Sequence, residues 1–213
     1  MFTGITRGTF EVTRIDKAPD LLTFEVDLGE NLSAGLEIGA SVLIDGVCQT
    51  VTGIAGPRVR FQAIRETLDR TTLGDLVEGG RVSVERSARV GDEIGGHDVS
   101  GHVTGTGCVS QVRREGDVCD VRIEVPDAWM KYILFKGFVA VDGSSLTVGE
   151  RSETGSFTVH LIPETLRLTL LGDKAVGDRV NVELDPRTVA IVETVERVLA
   201  QREGSAPGGG EDR

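Results

Sequence analysis

Apolar and polar residues alternate along much of this chain. TFEVDL (23–28), RVRFQAI (58–64), RVSVER (81–86), VRIEV (121–125) and FTVHLI (157–162) place apolar side chains at every second position, the period of a strand with one buried face. Gly, Asp and Pro punctuate these runs at short spacing, which predicts small closed barrels of short strands. The pairs Asp45-Gly46 and Asp142-Gly143 predict tight hairpin turns. ENLSAGLEIG (30–39) and PDAWMKYILFKG (126–137) break the alternation and read as short helical caps, with Trp129, Ile133 and Leu134 placed to plug a barrel end or simply to fill core. After Asp185-Pro186 the period changes. Thr188, Val192, Val195 and Leu199 follow at steps of four and three, a heptad-like apolar stripe on a helix. A lone helix of this length is marginal in water, so it needs a partner: copies of itself in a symmetric bundle, or its own barrels. The final GSAPGGGEDR (204–213) has no apolar run and is expected to be disordered.

The chain also repeats itself. GASVLIDGVCQTV (39–51) lies over KGFVAVDGSSLTV (136–148) at an offset of 97, which the opening glycines Gly4 and Gly101 share. AIRETLDRTTLGDLVEGGRVSVE (63–85) lies over LIPETLRLTLLGDKAVGDRVNVE (161–183) at an offset of 98, so one residue is added between the blocks. Three matched blocks in one order predict two copies of one module: a first barrel over 1–97, a second over 98–186, a helix over 187–203 and a tail over 204–213.

Composition narrows the partners. With 23 basic and 34 acidic residues the net charge is −11, which repels phosphate backbones and anionic membranes, so no nucleic-acid or membrane partner is expected. No apolar run approaches a membrane span, and the first residues lack the character of a signal peptide. Three cysteines, Cys48, Cys108 and Cys119, form no even framework, and a reducing cytoplasm is the expected compartment.

The candidate chemistry lies where the two copies differ. Ile5 aligns with His102, Cys48 with Ser145 and Ser41 with Phe138, while Thr50 and Thr147 agree; this is drift between copies or divided labour. His97 and His102, five apart in GGHDVSGH, are badly spaced for a shared metal, and no metal is expected. His102, beside Gly101, suits acid–base work near neutrality. The chain has no GxxxxGK[ST] and no GxSxG, and the glycines of GHVTGTG lack the spacing of a dinucleotide fold.

MFTGI, DGVCQTV, GGHDVSGH, KGFVAVDGSSLTV and IPETL together resemble the riboflavin synthase family, over residues 1 to 203. The resemblance implies an all-β fold of two similar six-stranded Greek-key β-barrels with a C-terminal trimerisation helix. It implies a site between the first barrel of one subunit of a homotrimer and the second barrel of its neighbour. The implied reaction is the dismutation of two 6,7-dimethyl-8-ribityllumazine molecules into riboflavin and 5-amino-6-ribitylaminouracil, with no external cofactor. Two like pockets suit a reaction between two copies of one compound, since holding both removes much of the entropic cost of meeting.

By the same resemblance, His102 relays protons at the reacting methyl, and Cys48 and Ser41 assist addition or orient the ring; a buried cysteine as filler is the alternative for Cys48. Thr147, Asp185 and Lys136 match second-barrel positions, with Asp185 a relay partner and Lys136 a ligand contact. Their plain alternatives are a strand threonine, a helix N-cap and a solvated lysine. The expected first pocket comprises Gly4, Ile5, Thr6, Cys48, Gln49, Thr50, Gln62, Ala63, Ile64, Arg65, Glu66 and Thr67. The second comprises Gly101, His102, Val103, Ser145, Leu146, Thr147, Ile162, Pro163, Glu164, Thr165, Leu166 and Arg167. Glu66-Thr67 and Glu164-Thr165 are candidates for holding the ribityl chain or the ring, or serve only as turns. The chain departs from the family at Gln49, usually leucine, which is expected to alter pocket polarity, and at Thr6, usually apolar. Non-catalytic relatives hold a lumazine or flavin as an antenna in the same double barrel, and they lack the GGH and SGH run kept here.

Overall fold

Alternation produces the strands. In β2 (Leu21–Asp27) and β5 (Arg58–Ile64), Leu22, Phe24 and Val26 turn inward against Val59, Phe61 and Ala63, and the directly paired Phe24 and Phe61 rings lie 5.5 Å apart. In a computed structural model, which describes residues 1–204, these strands join β1 (Thr9–Ala18), β3 (Ser41–Ile44), β4 (Val47–Ala55) and β6 (Arg81–Arg86) in a closed barrel ordered β1-β2-β5-β4-β3-β6. β2 returns beside β5, the Greek-key step.

The second barrel repeats the first strand for strand. β7 (Gly105–Glu115), β8 (Val118–Glu124), β9 (Phe138–Val141), β10 (Ser144–Ser152), β11 (Ser156–Leu161) and β12 (Arg179–Leu184) close in the order β7-β8-β11-β10-β9-β12, which is the first order with six added to each label. Its core holds Val121, Ile123, Phe157, Val159 and Leu161. Asp45-Gly46 and Asp142-Gly143 are two-residue hairpin turns, with φ of 44° and 81° in one and 44° and 82° in the other.

The barrels meet about a pseudo-twofold axis. Phe2 and Val99, repeat partners, form an antiparallel bridge (2.8 and 3.1 Å), and Leu43 and Ala140, also partners, share their small apolar cluster. The two Asp-Gly turns press together there, so closely that a Cβ on Gly46 would fall 2.4 Å from the Gly143 nitrogen.

The helical caps are shorter than expected. The first is α1 (Gly29–Ser33), and the second is a 3₁₀ turn over Asp127–Trp129. Ile133 is fully buried and Trp129 packs on the second core, but Leu134 is exposed and plugs nothing. α2 (Arg65–Arg70) and α3 (Pro163–Leu168) are repeat partners, each one short helix after the fifth strand of its barrel. The C-terminal helix, α4 (Pro186–Gly204), sets Val189 against the second core, and Lys131 bridges to Glu193 (3.1 Å) and Glu196 (2.6 Å). Ile191, Val195, Val198 and Leu199 remain exposed. Of the expected tail over 204–213, residues 205–213 lie outside the described residues.

Candidate active site

The segment leading into each barrel first crosses to the other. The Ser145 N–H donates to the Gly4 carbonyl at 2.8 Å, and the Cys48 N–H donates to the Gly101 carbonyl at 2.9 Å. A Cβ on Gly4 would sit 2.5 Å from the Ser145 Cβ and one on Gly101 would sit 2.6 Å from the Cys48 Cβ, so the approach requires glycine at both places. Thr6 bonds Ser144 (2.9 Å) on the second barrel, and Val103 packs on the core of the first. The chain then returns to its own barrel through Arg7 to Val84 and Thr104 to Val182. This corrects the expected grouping: Gly4, Ile5 and Thr6 belong with Ser145, and Gly101, His102 and Val103 with Cys48.

The crossing is held by buried carboxylates. Glu85 accepts from the Thr3 N–H and hydroxyl, both at 2.7 Å, and Glu183 accepts from the Ser100 N–H and hydroxyl at 2.7 Å and the Gly101 N–H at 2.9 Å. Burial raises the Glu85 pKa, against the Thr3 bonds that lower it.

Only alternate residues of the expected runs reach the outer faces. On the first barrel, Cys48, Thr50, Gln62 and Ile64 point outward, with Ser41 paired beside Thr50. Ala63 and Gln49 turn into the barrel, as Leu146 does in the second, and contribute main chain alone to the face. Gln49 therefore changes core polarity and not pocket polarity: its amide donates to the Cys48 carbonyl (3.0 Å) and its Oε1 has no partner. On the second barrel Ser145, Thr147 and Ile162 take the outward places, with Phe138 paired beside Thr147.

Beyond each face lies its short helix. Arg65 pairs with Asp69 (2.9 Å), Glu66 with Arg70 (2.6 Å) and Glu164 with Arg167 (2.6 Å), all exposed. The Thr67 and Thr165 carbonyls each accept the hydroxyl four residues on, Thr71 and Thr169, at 2.7 Å. Pro163 opens α3 and Leu166 packs on the second core.

The two faces differ in what covers them. His97, which has no repeat partner, is buried over the second: its Nδ1 lies 2.6 Å from the Ser145 Oγ and its ring stacks on Phe138 at 5.2 Å. Burial holds its pKa below the usual imidazole value, against the pull of Asp185, Glu183 and Asp98, and its Nε2 is unpaired. The corresponding Cys48 and Ser41 of the first barrel carry no such cover. In sequence His97 has a poor metal spacing and a place in the GGH run, and nothing local marks it as covering a face.

The remaining candidates lie further out. His102 is exposed, its imidazole has no hydrogen-bond partner among the described residues, and it lines a 750 Å³ cleft with Trp129, Tyr132, Leu184 and Val189 at the start of α4. Its neighbours Gly101 and Val103 face the first barrel instead. Asp185 is the N-cap of α4, accepting from Thr188 Oγ1 (2.7 Å) and from the Thr188 and Arg187 N–H groups (3.2 and 3.1 Å). Burial opposes its ionisation, but these bonds outweigh that and hold its pKa low. Lys136 is exposed at φ 61°, where the first repeat has Gly39 at 92°. A lysine in the left-handed region carries strain of about 1 kcal/mol or more.

Two barrels of one strand order, each with an outer face finished by the segment that leads into the other, define a tandem-barrel protein of the lumazine-binding type. The model of the lumazine binding domain matches twice, at residues 3–87 and 100–185. The chain belongs to the riboflavin synthase family. It is 51% identical over 206 residues to riboflavin synthase of Escherichia coli (strain K12), covering 96% of each chain. It is 38% identical over 200 residues to that of Chlamydia pneumoniae, covering 94% of this chain and 98% of that one. Among solved structures it resembles LumP complexed with riboflavin (TM-score 0.81, 26% identity, 87% of this chain and 100% of that one). It also resembles LumP complexed with 6,7-dimethyl-8-(1'-D-ribityl) lumazine (TM-score 0.77, 27% identity, 86% and 98%).

Proposed function

We propose that this chain is a transferase that dismutates 6,7-dimethyl-8-ribityllumazine. A four-carbon unit passes from one molecule to a second, giving riboflavin and 5-amino-6-ribitylaminouracil, the last step of riboflavin biosynthesis. The observation that carries this reading is the pair of faces alike in backbone and unlike in side chains, in a chain half identical to a named riboflavin synthase. Two molecules of one compound need two similar seats, and distinct donor and acceptor roles need those seats to differ. The two products together contain the atoms of two substrates, so the reaction balances with no external oxidant, reductant or cofactor.

In this reading Cys48, Ser41 and Thr50 orient the ring on the first barrel, over Ile64 and beside Val103. Thr147 and Ile162 hold the second ring, with Lys136 at its rim. His102 serves as the proton relay. Because it faces the cleft beside α4, it reaches a ring most readily at a neighbour's barrel, in keeping with a site completed between subunits of a homotrimer built on the exposed stripe of α4. Asp185 contributes by fixing the start of α4. The barrels divide at 97/98, and a reducing cytoplasm suits three free cysteines. No helix among the described residues is long and apolar enough to cross a membrane.

The test is to mix purified protein with the lumazine alone and follow riboflavin absorbance. Riboflavin formation is expected. Altered lumazine emission without riboflavin would make the chain an antenna protein instead.

A further inference from the structure

We propose that His160 is a substrate-binding, specificity-determining residue of the second face, with Asp120 as its positioning residue; this rests on the functional reading above. Phe157, Val159 and Leu161 of β11 turn into the core, so His160 stands on the outer face with Ile162. Val148 pairs with Val159, which brings the next outward residues, Thr147 and His160, alongside each other. The ring is held at one end. Its Nδ1 lies 2.6 Å from the Oδ1 of Asp120, directly opposite on β8, and its Nε2 lies over Gly149. A Cβ at 149 would fall 2.4 Å from that nitrogen, so only glycine leaves room for the ring.

The first barrel shows that the three residues form one device. At the matching places it has Gln62, Thr23 and Thr52, and Gln62 donates to the Thr23 hydroxyl (3.3 Å) across the same pair of strands. A neutral amide–hydroxyl pair on one face is an imidazole–carboxylate pair on the other, together with the glycine that the larger ring requires. A carboxylate only accepts, so the ring turns its Nδ1–H to Asp120 and leaves Nε2 for a ligand. Nε2 then bonds a polar group of the pyrimidinedione ring or a ribityl hydroxyl of the bound lumazine. The His160 side chain is 53% exposed and the Asp120 side chain 38%, so the pair is open to a ligand.

The experiment is steady-state riboflavin formation from 6,7-dimethyl-8-ribityllumazine by the full chain and by H160A, H160Q and D120N, with circular dichroism as the check on folding. Loss of one ligand hydrogen bond is expected to raise KM in H160A about five- to tenfold with kcat within about twofold. H160Q, which installs the first barrel's residue, returns KM to within about threefold of the unaltered chain, and D120N falls between. An unchanged KM in folded H160A would overturn the proposal, as would equal losses in H160A and H160Q accompanied by a lowered Tm, the mark of a merely structural pair. Absence of riboflavin from the unaltered chain would overturn the functional reading and this proposal with it, before any variant is compared.

Discussion

Gln49 shows how one residue separates the two copies. Its side chain lies among Val47, Val51 and the rest of the first core where the second barrel has Leu146, and its Oε1 finds no donor. An unpaired buried amide oxygen costs about 1 kcal/mol or more, and leucine has nearly the same volume. Q49L is therefore expected to raise unfolding stability by about 1 kcal/mol in urea titration; a loss of stability would show that the amide has a partner in solution. Asp45 offers a second test. Burial of its carboxylate at the inter-barrel contact, and Asp142 facing it, raise its pKa to about 7 from 3.8, although the Ser83 N–H and Lys174 pull the other way. Lys174 sits closer to Asp142, at 3.3 Å. Between those two pH values the folded chain keeps a proton that the unfolded chain releases. Stability then falls as pH rises from about 4 to about 7, by on the order of 1 kcal/mol per unit, and levels off above. D45N is expected to flatten the slope, measured as Tm against pH; an equal slope in both proteins would contradict this.

At the scale of elements, the repeat, the Asp-Gly turns and the strand faces were legible because each is a local pattern: a period of two, or a turn that demands positive φ. The crossing was not legible. A repeat looks the same whether Gly4 packs on its own barrel or on the other, since Gly101 makes the opposite choice to match. His160 escaped for a related reason. It is the repeat partner of Gln62 at an offset of 98, but its link to Asp120 exists only once β8 and β11 are in register. The crossing yields a clean comparison: Gly101 has φ 81° and a Cβ there meets Cys48, whereas Gly116 has φ 57° and open space around it. G116A is expected to cost about 1 kcal/mol from backbone strain alone, and G101A about 3 kcal/mol or more from strain plus displacement of Cys48. Equal costs would mean that the crossing segment yields freely. The stripe on α4 was legible from its spacing, but its partner was not. With Val195 51% and Leu199 52% exposed, the homotrimer proposed above is expected to fall to monomers in the pair V195D/L199D, read by analytical ultracentrifugation against the unaltered chain; an unaltered chain that is monomeric, or an assembly that survives the pair, would contradict a contact through this stripe.

At the scale of the whole molecule, duplication supplied two barrels, the crossing segments tied each face to the other half, and divergence made the faces unequal. The first face has half-buried Ser41 and Cys48 and an exposed Gln62; the second has Phe138 and Ser145 under His97, and His160 braced by Asp120. Such a molecule is suited to hold two copies of one compound in different roles. The most direct test is to quantify all three compounds as the protein turns over 6,7-dimethyl-8-ribityllumazine with no other carbon donor present. Two lumazines are expected to disappear for each riboflavin and each 5-amino-6-ribitylaminouracil formed, at every stage of the reaction. Lumazine bound but unconsumed, or riboflavin formed without the diaminouracil product in equal amount, would contradict it.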